Sequence, residues 1–307
     1  MLTGGGQLRQ NDVHPVRAAL WMLGAVASFS LMAVAGRELA GSLDTFEIMM
    51  YRSFVGIVIV GALGFWAGTL HEINTSRFRL HLTRNLFHFA GQNLWFYAVA
   101  LIPFAQLFAF EFSVPLWVAL LAPFFLAERL TPVRILVVCI GFIGILLVAK
   151  PGAVGLNAGV IAAFLCAFGF AGAFIATKLL ARTASTTCIL FWLTVMQAIL
   201  GLLCTGYDGD IALPDRTTLP LVLLVGVAGL LAHYCITTAL KLAPAVIVTP
   251  MDFVRLPLIA VVGWVYYNEP LDMLTIVGVL IVLAANFGNI FVEHRQKTRT
   301  PTAEPQR

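Results

Sequence analysis

Residues 244–257, PAVIVTPMDFVRLP, repeat the pattern of residues 103–115, PFAQLFAFEFSVP, at a distance of 141 positions along the chain. In both stretches a proline opens an apolar segment, and an acid, Glu111 or Asp252, follows eight residues later. A second proline comes shortly after each acid. It is Pro115 in the first stretch and Pro257 in the second, one residue later than a shift of 141 would place it. Acids are scarce in such apolar surroundings, so this register favours a duplication over chance composition. The pattern predicts two copies of one helical unit.

Other uncommon residues fall in the same register. The shift of 141 residues pairs Arg37 with Lys178, Glu128 with Glu269 and Phe112 with Phe253, without a gap. Matches among Leu, Ile and Val would arise between any two apolar sequences, whereas charged matches would not. The repeat therefore extends across most of the chain.

Composition predicts an integral membrane protein. Of 307 residues, 60% are hydrophobic and only 11% are charged, which is far more apolar than an ordinary soluble domain. Apolar runs long enough to cross a bilayer recur along the chain. A window of about 19 residues places ten helices near 17–37, 46–68, 82–101, 105–127, 133–150, 157–179, 186–205, 218–240, 245–267 and 272–292.

These helices predict an all-α fold of two inverted five-helix repeats. We assign residues 17–150 to the first repeat and 157–292 to the second, with an N-terminal segment at 1–16 and a tail at 293–307. Because five is odd, the second copy enters the membrane from the opposite side. Inverted repeats are the recurring architecture of secondary transporters, although topology alone does not prove function.

The basic residues predict the orientation. Fourteen of the 19 Lys and Arg residues fall on the side that holds both termini, three fall on the other side, and Arg52 and Arg255 lie inside spans. By the positive-inside rule both termini are cytoplasmic. The basic tail is expected to lie near the membrane surface and not to bind nucleic acid.

The stretch from Arg84 to Gly152 resembles the EamA module of the drug/metabolite transporter superfamily. The resemblance rests on Arg84, the proline hairpin at Pro103, Pro115, the Glu128-Arg129-Leu130 run and the glycines Gly141 and Gly144, together with YRSFVGI around Arg52. The second copy keeps Glu269 and Leu271 but lacks the arginine. The resemblance implies a ten-helix carrier of a small organic metabolite in a bacterial inner membrane. It does not select the substrate, and it leaves a homodimer open.

Two acids and a base are the first candidates for the site. Charges inside a span are costly and need a partner or a water-filled cavity. Glu111 and Asp252 would form a symmetric pair that binds a cationic group or carries a proton. Asp252 also has Arg255 three residues on, so a structural ion pair is the alternative. Glu111 has no base at helical spacing, so its partner must come from another helix or from the substrate, and its isolation is expected to raise its pKa.

A polar stripe on the third predicted helix supplies further candidates. Arg84, His88 and Gln92 recur every four residues, and Trp95 follows one turn later. The stripe would line a path, with Trp95 stacking on the substrate, or it would make interhelical hydrogen bonds while Arg84 reaches to the membrane surface. The matching wall in the second half would comprise His233, Tyr234 and Thr237.

The remaining charges are interpreted as structural. Arg52 is expected to pair with Glu47, and Glu128 and Glu269 are expected to be packing residues at helix ends. The sequence contains no zinc-protease, nucleophile-elbow or nucleotide-loop motif. No metal or cofactor is therefore predicted, and a transporter is favoured over an intramembrane enzyme or a membrane sensor or assembly protein.

Overall fold

The computed structural model describes residues 14–125, 132–150, 157–207, 210–243, 248 and 251–299. The long elements in these ranges are helices, which confirms the all-α prediction. In chain order they are α1 Pro15–Leu39, α2 Thr45–Trp66, α3 Phe78–Leu101, α4 Phe104–Glu111, α5 Val114–Phe125, α6 Pro132–Ala149, α7 Ala158–Leu180, α8 Thr186–Thr205, α9 Thr218–Leu242, α10 Arg255–Tyr267 and α11 Met273–Arg299.

Most helix ends lie within a few residues of their predicted positions. The fourth and ninth predicted spans are the exceptions. The fourth consists of α4 and α5 with a turn between them, and the ninth is interrupted by a turn at residues 253–254, after which α10 begins. The last helix continues to Arg299, beyond its predicted end near residue 292. Predictions for residues 1–13, Glu128, Pro244, Pro250 and 300–307 lie outside the described residues.

Six helical stretches of the described chain are long and apolar enough to cross a bilayer. They are Pro15–Leu39, Thr45–Trp66, Phe104–Phe125, Ala158–Leu180, Thr186–Thr205 and Thr218–Leu240. Shorter apolar stretches occur at Ile135–Ala149, Arg255–Tyr267 and Met273–Gly288. Helix α3 is long enough but carries several buried polar side chains, Arg84, Asn85, Gln92 and Asn93 among them. The fold is thus that of a multi-pass helical membrane protein, and ten crossings remain a prediction.

The packing of the helices follows the two halves of the chain. The most extensive interfaces join α1 to α9, α3 to α7, α6 to α11 and α2 to α8, and α4 also contacts α10. If the halves are exchanged, α1 becomes α7 and α9 becomes α3, so the first interface turns into the second. The other pairs turn into themselves. The contacts therefore have the pattern of a two-fold pseudo-symmetric bundle in which every main interface joins one half to the other.

Glycines permit close backbone contact at two of these interfaces. A β-carbon on Gly169 would lie 2.9 Å from the α-carbon of Gly91, where α7 crosses α3. Where α6 crosses α11, a β-carbon on Gly144 would lie 2.8 Å from the carbonyl oxygen of Gly278. A β-carbon on Gly278 would lie equally close, at 2.8 Å, to the carbonyl oxygen of Gly144. Small residues thus let α7 approach α3, and α6 approach α11, closely.

Candidate functional site

The two acids of the repeat lie at matched interruptions of their helices. Helix α4 ends at Glu111, residues 112–113 form a turn, and α5 begins at Val114. Asp252 is helical, residues 253–254 form a turn, and α10 begins at Arg255, which is the same arrangement 141 residues later. Pro115 has no N–H for the carbonyl of Glu111, and Pro257 has none for that of Phe253, so both helices break just before a proline.

Arg255 joins the two interruptions. Its Nη2 atom lies 2.9 Å from Oε1 of Glu111 and 3.1 Å from Oδ2 of Asp252. The side chain of Arg255 is 5% exposed, so this ion triplet is largely removed from solvent. The Asp252–Arg255 pair predicted from the sequence is present. Glu111 was expected to find its partner either on another helix or in the substrate. The partner is Arg255, which lies on another helix and in the other half of the chain.

Aromatic side chains enclose the triplet. Trp95 donates its indole N–H to Oε2 of Glu111 at 2.7 Å, and its ring is buried. The Arg255 guanidinium carbon lies 4.6 Å from the centre of the Phe29 ring and 5.0 Å from that of Phe112. Such contacts stabilise a desolvated cation. Trp95 therefore orients Glu111 in this conformation, and stacking of its ring on a solute remains a prediction.

A small cavity with both apolar and polar lining residues lies between α2, α3, α8 and α9. Its volume is about 30 Å³, which holds one or two water molecules and not a whole metabolite. His233 is exposed, so the cavity is not sealed. The lining residues are Met49, Arg52, Ser53, Gly56, His88, Leu193, Thr194, Gln197, Gly226, Gly229, Leu230 and His233.

The cavity lies on the pseudo-symmetry axis. The shift of 141 residues pairs Arg52 with Leu193, Ser53 with Thr194, and Gly56 with Gln197, and all six of these residues line it. The repeat thus presents the same face of α2 and α8 to a shared central space. His88 and His233, both predicted site residues, meet in this space from opposite halves of the chain.

The other predicted site residues lie elsewhere. Arg84 is buried and donates hydrogen bonds to Thr177 at 3.1 Å and to Asn85 at 3.0 Å, so its expected reach to the membrane surface is wrong. Gln92 is buried on α3. Tyr234 is 58% exposed and contacts Trp21 edge-on, outside the wall that His233 forms.

The predicted pair of Arg52 with Glu47 is not formed. Glu47 instead accepts the backbone N–H groups of Asp44 at 2.8 Å and Ala212 at 2.6 Å, because it completes the capping box at the start of α2. For Arg52, the described residues provide one side-chain contact, from Nη1 to the sulfur of Met49 at 3.8 Å.

Glu269 ties one end of the bundle together. It forms an ion pair with Arg37 on α1 and accepts the backbone N–H of Phe104, the first residue of α4, at 2.8 Å. Arg37 also donates to the carbonyl of Val99 at 2.6 Å. Lys150 pairs with Asp272 at the same end. Glu269 was expected to be a packing residue at a helix end, and the structure adds that it closes this end.

Sequence reasoning did not single out Gln197 or Asn286. Gln197 lines the cavity and donates to the carbonyl of Asn85 at 3.0 Å, and Asn286 donates to the freed carbonyl of Phe112 at 2.6 Å. Their amides stand inside apolar helices, and that isolation was the available signal. Among the described residues, no group of three His, Cys, Asp or Glu side chains is placed to hold a metal ion.

Comparison with known sequences gives a consistent result. The profile of the EamA-like transporter family matches residues 16–150 and again residues 157–291. The chain is 27% identical over 279 residues to an S-adenosylmethionine uptake transporter of Rickettsia felis, covering 91% of this chain and 94% of the relative. It is 30% identical over 253 residues to a riboflavin transporter of Brucella anthropi, covering 80% and 88%. A pseudopaline exporter of Pseudomonas aeruginosa is 27% identical over 267 residues, covering 86% and 93%.

A solved structure shares the fold. A crystal structure with 19% sequence identity superposes with a TM-score of 0.63, covering 92% of this chain and 99% of the other chain. At this level of identity the likeness concerns the arrangement of helices alone.

Proposed function

Because the chain belongs to the EamA-like transporter family, we propose that it is a secondary transporter that moves a small organic metabolite across a bacterial inner membrane. The observation that carries the proposal is the pair of matched helix interruptions, which bring Glu111, Asp252 and Arg255 together from both repeats. Interrupted helices that meet between two repeats form the substrate and ion sites of many secondary transporters. The named relatives carry metabolites of different chemistry.

The mechanism we propose is alternating access between the halves at 17–150 and 157–292, which would span the membrane ten times as inverted repeats. Every main interface joins one half to the other, so a relative rotation of the halves opens one end of the bundle as it closes the other. The end held by Arg37 and Glu269 is tied in this conformation. With both termini cytoplasmic, this tied end would face the outside.

Within this mechanism the ion triplet is the coupling element. Glu111 and Asp252 compete for Arg255, so protonation or solute binding at one acid releases the arginine to the other. Oδ1 of Asp252 is buried without a hydrogen-bond partner in the described part of the chain, which leaves it available to a proton or a cationic group. We therefore propose that a proton gradient drives transport.

The test is uptake into proteoliposomes of amino acids, amines, nucleosides, flavins and S-adenosylmethionine, with and without an imposed pH gradient. Glu111→Gln should lower uptake roughly tenfold or more, because a hydrogen bond to a charged group contributes about 1.5–3 kcal/mol and 1.4 kcal/mol corresponds to tenfold. Glu72→Gln, in the short 3₁₀ helix Leu70–Glu72, is the matched control and should leave uptake unchanged. Equal flux and pH response in wild type and Glu111→Gln would remove Glu111 from the mechanism.

A further inference from the structure

We propose that the cavity around Arg52 is an anion subsite that receives the carboxylate group of the transported metabolite. The inference rests on the proposed function, because it names a chemical class for the solute. Among the residues that the structure describes, Arg52 lacks the kind of partner that Arg37, Arg84 and Arg255 have.

The other buried arginines are paired or hydrogen-bonded. Arg37 contacts Glu269 and backbone carbonyls, Arg84 donates to Thr177 and Asn85, and Arg255 contacts two carboxylates. Arg52 is partly buried, yet within the described ranges its one side-chain hydrogen bond is with the sulfur of Met49, a weak acceptor. A charge inside a span costs a few kcal/mol unless it is paired or hydrated. A bound anion would supply the missing partner.

The surroundings of Arg52 favour a negative ligand. In the described part of the chain, no Asp or Glu lines the cavity. The charged side chains that act on His88 and His233 are arginines, Arg52 and Arg84 for both. The nearest acid along α2, Glu47, is already engaged by backbone N–H groups. The central space is therefore electropositive on the Arg52 side.

The cavity also holds polar atoms without partners. Nδ1 of His88 and Oε1 of Gln197 are buried without a hydrogen bond of normal geometry in the described structure, and the two side chains interact with each other. Gly229 leaves room for the guanidinium, since a β-carbon there would lie 3.0 Å from Nη2 of Arg52. Arg52 thus offers unused donor capacity to this small space.

The size and charge of the cavity favour a carboxylate over a larger anion. About 30 Å³ admits a group of the size of one or two waters, so only the acidic end of a metabolite would enter. One unpaired guanidinium matches the single charge of a carboxylate, which it can hold through two parallel hydrogen bonds. A phosphate group would bring more charge than Arg52 alone balances.

The experiment measures binding to the purified full-length protein, which separates this inference from transport. The probes are S-adenosylmethionine against its decarboxylated form and L-methionine against L-methioninamide, with inorganic phosphate as a third arm. In wild type the carboxylate member of at least one pair should bind about tenfold or more tightly, as expected for a charge-assisted hydrogen bond. Arg52→Gln should reduce that preference to less than about threefold.

Two variants control for folding and for general charge. Arg52→Lys keeps the charge and should retain part of the preference, while Arg216→Gln removes an exposed arginine that does not line the cavity and should keep most of it. Only protein that elutes as a single species in size exclusion is compared.

Equal binding of both members of each pair, absence of binding by every probe, or an unchanged preference in Arg52→Gln would overturn the subsite. Tighter binding of phosphate than of the carboxylates would overturn the assignment to carboxylates. Uptake into proteoliposomes is then measured with the same compounds. Binding with the expected preference but without uptake would support the subsite and contradict the proposed transport function. Uptake without a preference for the carboxylate compounds would support the transport function and contradict the subsite.

Discussion

The interruption after Glu111 is held by polar side chains that the interruption after Asp252 lacks. Trp95 donates to Glu111, and Asn286 donates to the carbonyl of Phe112. At the equivalent positions 141 residues away, the chain has Ile236 and Ile145, which cannot make either bond. The two repeats therefore share a backbone break but differ in what stabilises it.

This difference assigns separate tasks to the two acids. Both oxygens of Glu111 are bonded, whereas Oδ1 of Asp252 is buried without a partner among the described residues. Arg255 is the shared element, and it occurs only in the second repeat, where the first has Val114. We infer that the contacts of the first interruption stay the same during transport and that those of the second interruption change.

The largest effect should follow removal of the shared base. Arg255→Met leaves two carboxylates in a largely desolvated site without their cation, and breaking a buried ion pair in this way costs about 3–5 kcal/mol. We expect loss of most of the monodisperse protein and a much lower Tm in detergent. Adding Glu111→Gln and Asp252→Asn to the same chain should restore much of the Tm. A triple variant no more stable than Arg255→Met would show that packing, and not charge, explains the loss.

An intermediate effect should follow removal of the indole donor. Trp95→Phe keeps most of the ring volume but removes the hydrogen bond to Glu111, which should lower stability by about 1.5–3 kcal/mol. Trp117→Phe is the matched control, because the indole nitrogen of Trp117 is buried and makes no hydrogen bond in the described structure. Denaturant or thermal unfolding of both variants gives the comparison. Equal losses would contradict the assigned role of Trp95.

A smaller effect should follow loss of the amide that supports the first interruption. Asn286→Leu leaves the carbonyl of Phe112 without its donor, at a cost of about 1–3 kcal/mol. Ile145→Leu, at the equivalent position in the first repeat, changes shape but removes no hydrogen bond and should cost less than about 1.5 kcal/mol. If Asn286→Leu unfolds at the wild-type temperature, the first interruption is not held as we describe.

Much of the fold could be predicted because the physics of apolar helices is local. Hydropathy located α1, α2, α7, α8 and α9 to within a few residues. The register of rare acids and prolines located the two equivalent segments, but it did not predict the short turn at residues 112–113. A kink and a complete break require the same residue type, and tertiary packing decides between them.

The site was predictable in composition but not in pairing. Arg255 was assigned to Asp252 because helical spacing is visible in a sequence, whereas its second bond, to Glu111, joins residues 144 positions apart. Glu47 was expected to pair with Arg52 because the two are close in sequence. Its carboxylate instead accepts the backbone N–H of Asp44 in the capping box of α2. Partners that come from other helices are set by the three-dimensional arrangement, which spacing along one helix cannot reveal.

The crossing of α6 and α11 places a mechanical constraint on the whole molecule. At Gly144 and Gly278 the two backbones are so close that a β-carbon on either glycine would meet the carbonyl oxygen of the other. The halves cannot separate as parallel plates without losing this contact, but they can swivel about it. In the alternating-access mechanism that we propose, the crossing would be the pivot, so that the gap at one end of the bundle shrinks as the gap at the other end grows.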